Sequence, residues 1–219
     1  MIRNVRALVL WSKRSRDADK IVGLFTREIG RVTVRATSAA RSTAKFAAIT
    51  EPFVEADVAI YTGVDQAWGK LVGGRMLRSF PNLRTDLVRV TAASWMCEVV
   101  HRLTPVEQAS PEKYDLLSEA LEALESAASF EVLRLGFALR FLNHAGFGPD
   151  NWDVWQSFSA EYPTRAADLQ NGPLLALGQL TWDEPVVSAL MQLAGRTVVD
   201  QLDRPLAVNR FRQMTGIEI

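Results

Sequence analysis

At Pro81 the hydrophobic pattern of this chain changes period, and one type of secondary structure cannot serve both sides of it. Ahead of Pro81, β-branched residues alternate with polar ones between turn formers, as strands require. Behind it, apolar residues recur at spacings of three and four, as a helix face requires. Strands are expected at 3–12, 20–27, 31–37, 52–62 and 67–79, and five short strands in succession predict a small barrel. Between the second and third, Glu28-Ile29-Gly30 reads as a tight hairpin loop whose glycine takes a positive φ. A longer connection carrying Arg41 and Lys45 joins the third to the fourth.

On the helical side, Leu83, Leu87, Val90, Ser94, Cys97 and Val100 predict the buried stripe of a helix over 83–103, stopped by Pro105. Ser110 and Pro111 read as the cap and first position of a second helix to about residue 127, with Leu116, Leu117, Leu121 and Leu124 as its apolar face. Ser129 is placed to cap a third helix over 130–144, which Gly146 ends. Residues 147–182, which include Trp152, Trp155, Tyr162 and Trp182, read as irregular. A fourth helix follows Pro185, and a short fifth is expected near 205–214. The expected fold class is α+β: a five-stranded barrel over 1–80 packed on a helical domain over 81–219, with no Gly/Ser linker between them.

Charge divides the chain unevenly. The formal net charge is zero, yet residues 1–50 hold 11 of the 25 basic side chains against 3 of the 25 acidic ones, a net +8 ahead of a net −8. A basic front end suits a polyanion, and an acidic body suits protein partners. A hydrophobic content of 48% is ample for a core. The N-terminal apolar run, Ala7 to Trp11, is too short for a secretory signal, and no stretch approaches the roughly 18 apolar residues of a membrane span. The expected setting is a soluble, cytoplasmic one.

Catalytic constellations can be checked one by one. Gly63-Val64-Asp65-Gln66-Ala67-Trp68-Gly69-Lys70 has one residue too many between its glycines for a phosphate loop, and Leu71 stands where a Ser or Thr is needed. It reads as a turn between strands. Ser42-Thr43-Ala44-Lys45 matches S-x-x-K without the companion motifs of that enzyme class, and reads as a polar loop. His101 and His144 lie near helix ends with no ligand cluster around them. Glu112, Asp115, Glu119, Glu122 and Glu125 line the polar side of one helix. The single cysteine, Cys97, sits among Trp95, Met96, Val99 and Val100 and reads as core. No catalytic residues, metal site or cofactor is expected, and the chain reads as a binding protein rather than an enzyme.

A small five-stranded barrel with a basic surface and aromatic residues is the combination with which OB-folds bind single-stranded nucleic acid: cations track phosphates while rings stack on bases. The aromatic candidates are Trp11, Phe25, Phe46, Phe53, Tyr61 and Trp68, most of which a small barrel needs for its core. The DNA-binding candidates are Lys13, Arg14, Arg16, Lys20, Arg31, Arg35, Arg41 and Lys45. Strand alternation puts Arg31, Thr33 and Arg35 on one face and Val32 and Val34 on the other, so both arginines are expected to meet solvent.

The order of segments resembles the RecO family of bacterial DNA repair proteins. The resemblance runs through VLWSKRSRDADKIVGLFTREIGRVTV, ARSTAKFAAITEPFVEADVAIYTG, MLRSFPNLRTDLVRVTAASWMCEVVHRLTP and PEKYDLLSEALEAL, and closes on the basic-aromatic RPLAVNRFRQM. It implies an N-terminal OB-fold and a non-catalytic recombination mediator associated with the nucleoid. Such a mediator binds single- and double-stranded DNA, anneals complementary strands and, with RecR, helps load RecA onto DNA coated with single-strand-binding protein. That protein's acidic, hydrophobic-ended C-terminal tail would meet the helical body. One departure is that many family members carry a zinc-binding cysteine cluster after the third long helix, where this chain has no cysteine; no metal site carries over. The rival reading is a protein-interaction scaffold whose OB-like barrel has an incidental basic face.

Overall fold

The computed structural model describes residues 1–15, 18–40, 46–63, 68–153, 159, 161–180, 184–202 and 206–207. Its strands are β1 (Ile2–Arg14), β2 (Lys20–Thr26), β3 (Gly30–Ala36), β4 (Glu55–Tyr61) and β5 (Gly69–Arg78). They close into a barrel in the order β1-β2-β3-β5-β4, antiparallel throughout except for β3 against β5. Alternation decides what goes inside: Val5, Ala7 and Val9 of β1, Val22 and Leu24 of β2, Val32 and Val34 of β3, Val58 and Ile60 of β4 and Leu71 of β5 form one buried cluster. Each such Val, Leu or Ile side chain removed from water is worth about 1.5–3 kcal/mol before entropy is counted. A short 3-10 turn, Ala48–Thr50, adds Ile49 to the same cluster.

Two local devices shape the barrel. The β1–β2 register slips between Val9 and Trp11, a bulge that leaves Leu10 unpaired and re-aims the end of β1. The β2–β3 hairpin turns through Arg27, Glu28 and Ile29 into Gly30 at φ +77°, as expected. A Cβ at Gly30 would stand 2.0 Å from the carbonyl oxygen of Gln108, so both the dihedral and the close backbone approach require glycine.

Contacts divide the chain into two units: Met1–Phe80 with Thr104–Ser118, and Pro81–Leu103 with Glu119–Ile219. In the first unit, residues 104–118 lie on the barrel. Arg31 forms a parallel bridge with Val106, and the backbone N–H of Glu107 donates to the Arg31 carbonyl at 3.0 Å. Helix α2 (Pro111–Ser126) contributes its first half here; Tyr114 packs on Phe25 with ring centroids 5.8 Å apart.

The second unit gathers α1 (Leu87–Leu103), the remainder of α2, α3 (Phe130–His144), α4 (Glu161–Asn171), α5 (Leu174–Leu177) and α6 (Glu184–Asp200). Helix α3 is buried nearly all round, and α1, α4, α5 and α6 all touch it. Several sequence expectations shift. Residues Asn82–Arg84 form a 3-10 turn, and α1 starts only after Asp86, whose Oδ1 accepts from the backbone N–H of Val88 at 2.7 Å. The buried stripe of α1 runs through Thr91, Ala92, Ala93, Met96, Cys97, Val99 and Val100, leaving Leu87 exposed. Ser129 stands at the N-cap of α3 without a side-chain cap bond. The 147–182 segment is not irregular: a 3-10 turn at Pro149–Asn151, α4 and α5 fall within it, because Ala166, Leu169, Leu174 and Leu177 supply buried positions. The helix expected near 205–214 falls almost wholly outside the described residues, as do Trp155 and Trp182. None of the helices among the described residues is long and apolar enough to cross a membrane.

Candidate nucleic-acid interface

Strand register carries the basic residues onto one line. Lys13 of β1 pairs with Ile21 of β2, Ile21 with Arg35 of β3, Arg35 with Lys70 of β5, and Lys70 with Tyr61 of β4. Four interstrand steps of roughly 4.8 Å make this outward-facing belt about 19 Å long. Lys13, Arg35, Lys70 and Tyr61 are exposed, and Ile21 is half-buried. Arg14 extends the basic end one residue along β1 and is exposed too. Among the described residues, none of these four cations has a side-chain ion pair or hydrogen bond.

Beside the belt, Trp11 pairs with Gly23, and a Cβ at Gly23 would stand 2.1 Å from the indole Nε1. The missing side chain lets the indole lie half-buried across the outer face of β2. The remaining aromatics separate by burial: Phe25 and Phe53 are interior, Phe46 half-buried, Tyr61 and Trp68 exposed.

The other expected residues go elsewhere. Lys20 shares the inward parity of Val22 and Leu24; it is 8% exposed, and its Nζ donates to Glu51 Oε1 at 2.6 Å and Thr50 Oγ1 at 3.3 Å. Arg31 shares the outward parity of Arg35 but is half-buried, because its Nε donates to the Thr104 carbonyl at 3.0 Å; the segment over 104–108 has claimed that end of β3. Burial lowers its pKa from the ordinary arginine value. Arg16, Arg41 and Lys45 lie outside the described residues. Lys70, absent from the sequence-based set, enters because β5 closes against β3; its local sequence gives no sign of a neighbour 35 positions upstream.

Away from the belt the first unit contains a buried ion cluster. Glu55 is 1% exposed and accepts from Arg6 Nε at 2.8 Å, Arg78 Nε at 2.6 Å and the Tyr114 hydroxyl at 2.9 Å. Burial, then the Glu55 charge, holds the Tyr114 phenol well above its usual range. The acids along α2 are mostly engaged: Asp115 with Arg27 at 2.9 Å, Glu119 with the backbone N–H of Leu174 at 3.1 Å, and Glu125 with that of Asn82 at 3.3 Å. Among the described residues no group of three or more His, Cys, Asp or Glu could hold a metal ion. The only cysteine, Cys97, is buried, its thiol pushed up to about 12 by desolvation, so the residues present do not fit a cysteine-ligated zinc site.

A closed 1-2-3-5-4 barrel is an OB-fold, and among the described residues the exposed cations on its outer face at Lys13 and Arg14 of β1, Arg35 of β3 and Lys70 of β5 have no side-chain partner, which suits that face to a polyanion. Residues 1–80 match the family model described as Recombination protein O N terminal, and residues 84–153 match Recombination protein O C terminal. The chain belongs to the RecO family. The DNA repair protein RecO of Symbiobacterium thermophilum is 36% identical over 147 residues, 67% of this chain and 57% of that protein. That of Geobacter metallireducens is 33% identical over 141 residues, 64% of this chain and 57% of that one, and that of Exiguobacterium sibiricum is 28% identical over 194 residues, 89% and 77%. The chain thus spans about 57% of the length of the first of these relatives.

Proposed function

We propose that this protein is a non-catalytic recombination mediator that binds single- and double-stranded DNA through the barrel and anneals complementary strands. The observation that carries this is the belt: Lys13, Arg35 and Lys70 are brought by register to one outer face with no competing carboxylate bonded to them among the described residues. Annealing asks only that cations reduce the repulsion between two phosphate backbones while base edges stay free. Family membership supports the further reading that the protein acts with RecR, and with the tail of single-strand-binding protein, to help RecA onto coated DNA. The cytoplasm, beside the nucleoid, is the setting this requires.

The test is annealing of complementary oligonucleotides coated with single-strand-binding protein, with and without RecR. Faster annealing by the protein, lost on raising salt, is the expected result. A rate no greater than the spontaneous one, together with salt-independent binding, would sink this reading in favour of a protein scaffold.

A further inference from the structure

The belt does not end on a cation. Its last member is Tyr61, opposite Lys70; Ile2 in turn lies opposite Tyr61, and Trp68 stands two residues before Lys70. Tyr61 is 41% exposed and Trp68 48%. Neither is needed inside: Gly69 and Leu71 take the inward positions, where a Cβ on Gly69 would already stand 2.7 Å from Ile60. A single exposed apolar residue needs no explanation, but here two exposed aromatic residues adjoin Lys70, Tyr61 opposite it on β4 and Trp68 two residues before it in the chain, and Lys70 itself has no side-chain partner among the described residues.

The backbone beneath Tyr61 is held on both sides. It pairs with Ile2 and with Lys70, and just beyond it Met1 and Thr62 exchange two hydrogen bonds, the terminal amine to the Thr62 carbonyl at 2.8 Å and the Thr62 N–H to the Met1 carbonyl at 2.9 Å. A ring presented from a fixed ladder loses little freedom when a flat partner lands on it.

Resting on the reading of the belt as a DNA interface, we infer that Tyr61 and Trp68 are a base-stacking platform that gives this face its preference for single strands. Phosphates would run along Lys13, Arg35 and Lys70 while bases at one end stack on the two rings. In a duplex both faces of each base are already covered by neighbours, so the rings have nothing to stack on and only the electrostatic part of binding remains. A stacked base keeps its pairing edge open. The platform therefore admits a complementary strand and loses its hold once pairing restores the stack, which releases the annealed product.

The experiment measures binding of the full chain to three labelled probes across a salt series: oligothymidine, an abasic oligomer of equal length, and a duplex. The wild type should bind oligothymidine about tenfold or more tighter than the abasic strand. With Tyr61→Ala and Trp68→Ala combined, that ratio should fall to within about twofold while the salt slope stays put; Tyr61→Phe should retain it. Lys70→Ala should weaken oligothymidine and abasic strand alike and shallow the slope by about 0.7. Equal wild-type binding to oligothymidine and abasic strand, or a ratio unchanged in the double variant, would overturn the platform while leaving the belt as a phosphate track. Failure to bind all three probes would overturn the DNA reading and the platform with it.

Discussion

Glu55 shows how much one residue can hold. Its carboxylate is buried beneath two arginines that are themselves partly exposed, so replacing it leaves guanidinium groups able to rehydrate and a tyrosine hydroxyl that cannot. Glu55→Ala should cost about 1–3 kcal/mol, mostly from stranding the Tyr114 hydroxyl, read from the urea midpoint. Tyr114 makes the same cluster sensitive to alkali. Its folded pKa is raised above the unfolded value of about 10, so its contribution is intact below that pH and is lost as pH rises above it. The difference in stability between wild type and Tyr114→Phe should therefore be flat up to about pH 10 and shrink beyond it. Cys97 sets a second residue-scale expectation: with its thiol buried and held protonated, iodoacetamide should leave it untouched in the native protein and alkylate it in urea.

At the scale of elements, β3 separates two residues that alternation alone treats as equivalent. Arg31 and Arg35 share the outer face, but Arg31 is bonded to a carbonyl 73 residues away while Arg35 has no such partner among the described residues. Arg31→Ala should lower stability by about 1 kcal/mol with little change in DNA affinity. Arg35→Ala should do the reverse, weakening binding to all sequences alike with stability unchanged, as befits a phosphate contact on an exposed side chain. Equal effects of both on DNA binding would show that the segment over 104–108 leaves β3 in solution. The hairpin behind Arg31 offers a harsher test of the same element. Gly30→Ala combines a left-handed dihedral with a clash against the Gln108 backbone, so a loss of about 2 kcal/mol or more is expected by chemical denaturation.

At the scale of the whole molecule, net neutrality conceals the partition that matters for a polyanion. Binding should follow the open cations rather than the net charge: with about four phosphates neutralised by Lys13, Arg14, Arg35 and Lys70, log K for single strands should fall against log salt with a slope of roughly −3. A slope near zero would mean the belt makes no phosphate contacts. Metal should play no part in holding the chain together, since Cys97 is its single thiol; elemental analysis of untagged protein should find no stoichiometric zinc, and a chelator should leave the melting temperature unchanged.

What the sequence determined by itself was local. The change of period at Pro81, the alternation that buries Val22, Leu24, Val32 and Val34, the glycine at Gly30 and the burial of Cys97 all follow from sterics and from the spacing of apolar residues within one element. Parity read from Val22 would have turned Lys20 inward as well. The position of α1 was less legible, because small residues such as Ala92 and Ala93 face the core there and carry little hydrophobic signal. Only the tertiary structure decided which cations stay open. That Lys70 stands beside Arg35, and that Arg31 is spent on Thr104, depends on how β5 closes the barrel and where residues 104–108 come to lie. Those pairings join positions far apart in the chain, and no pattern within a single segment records them.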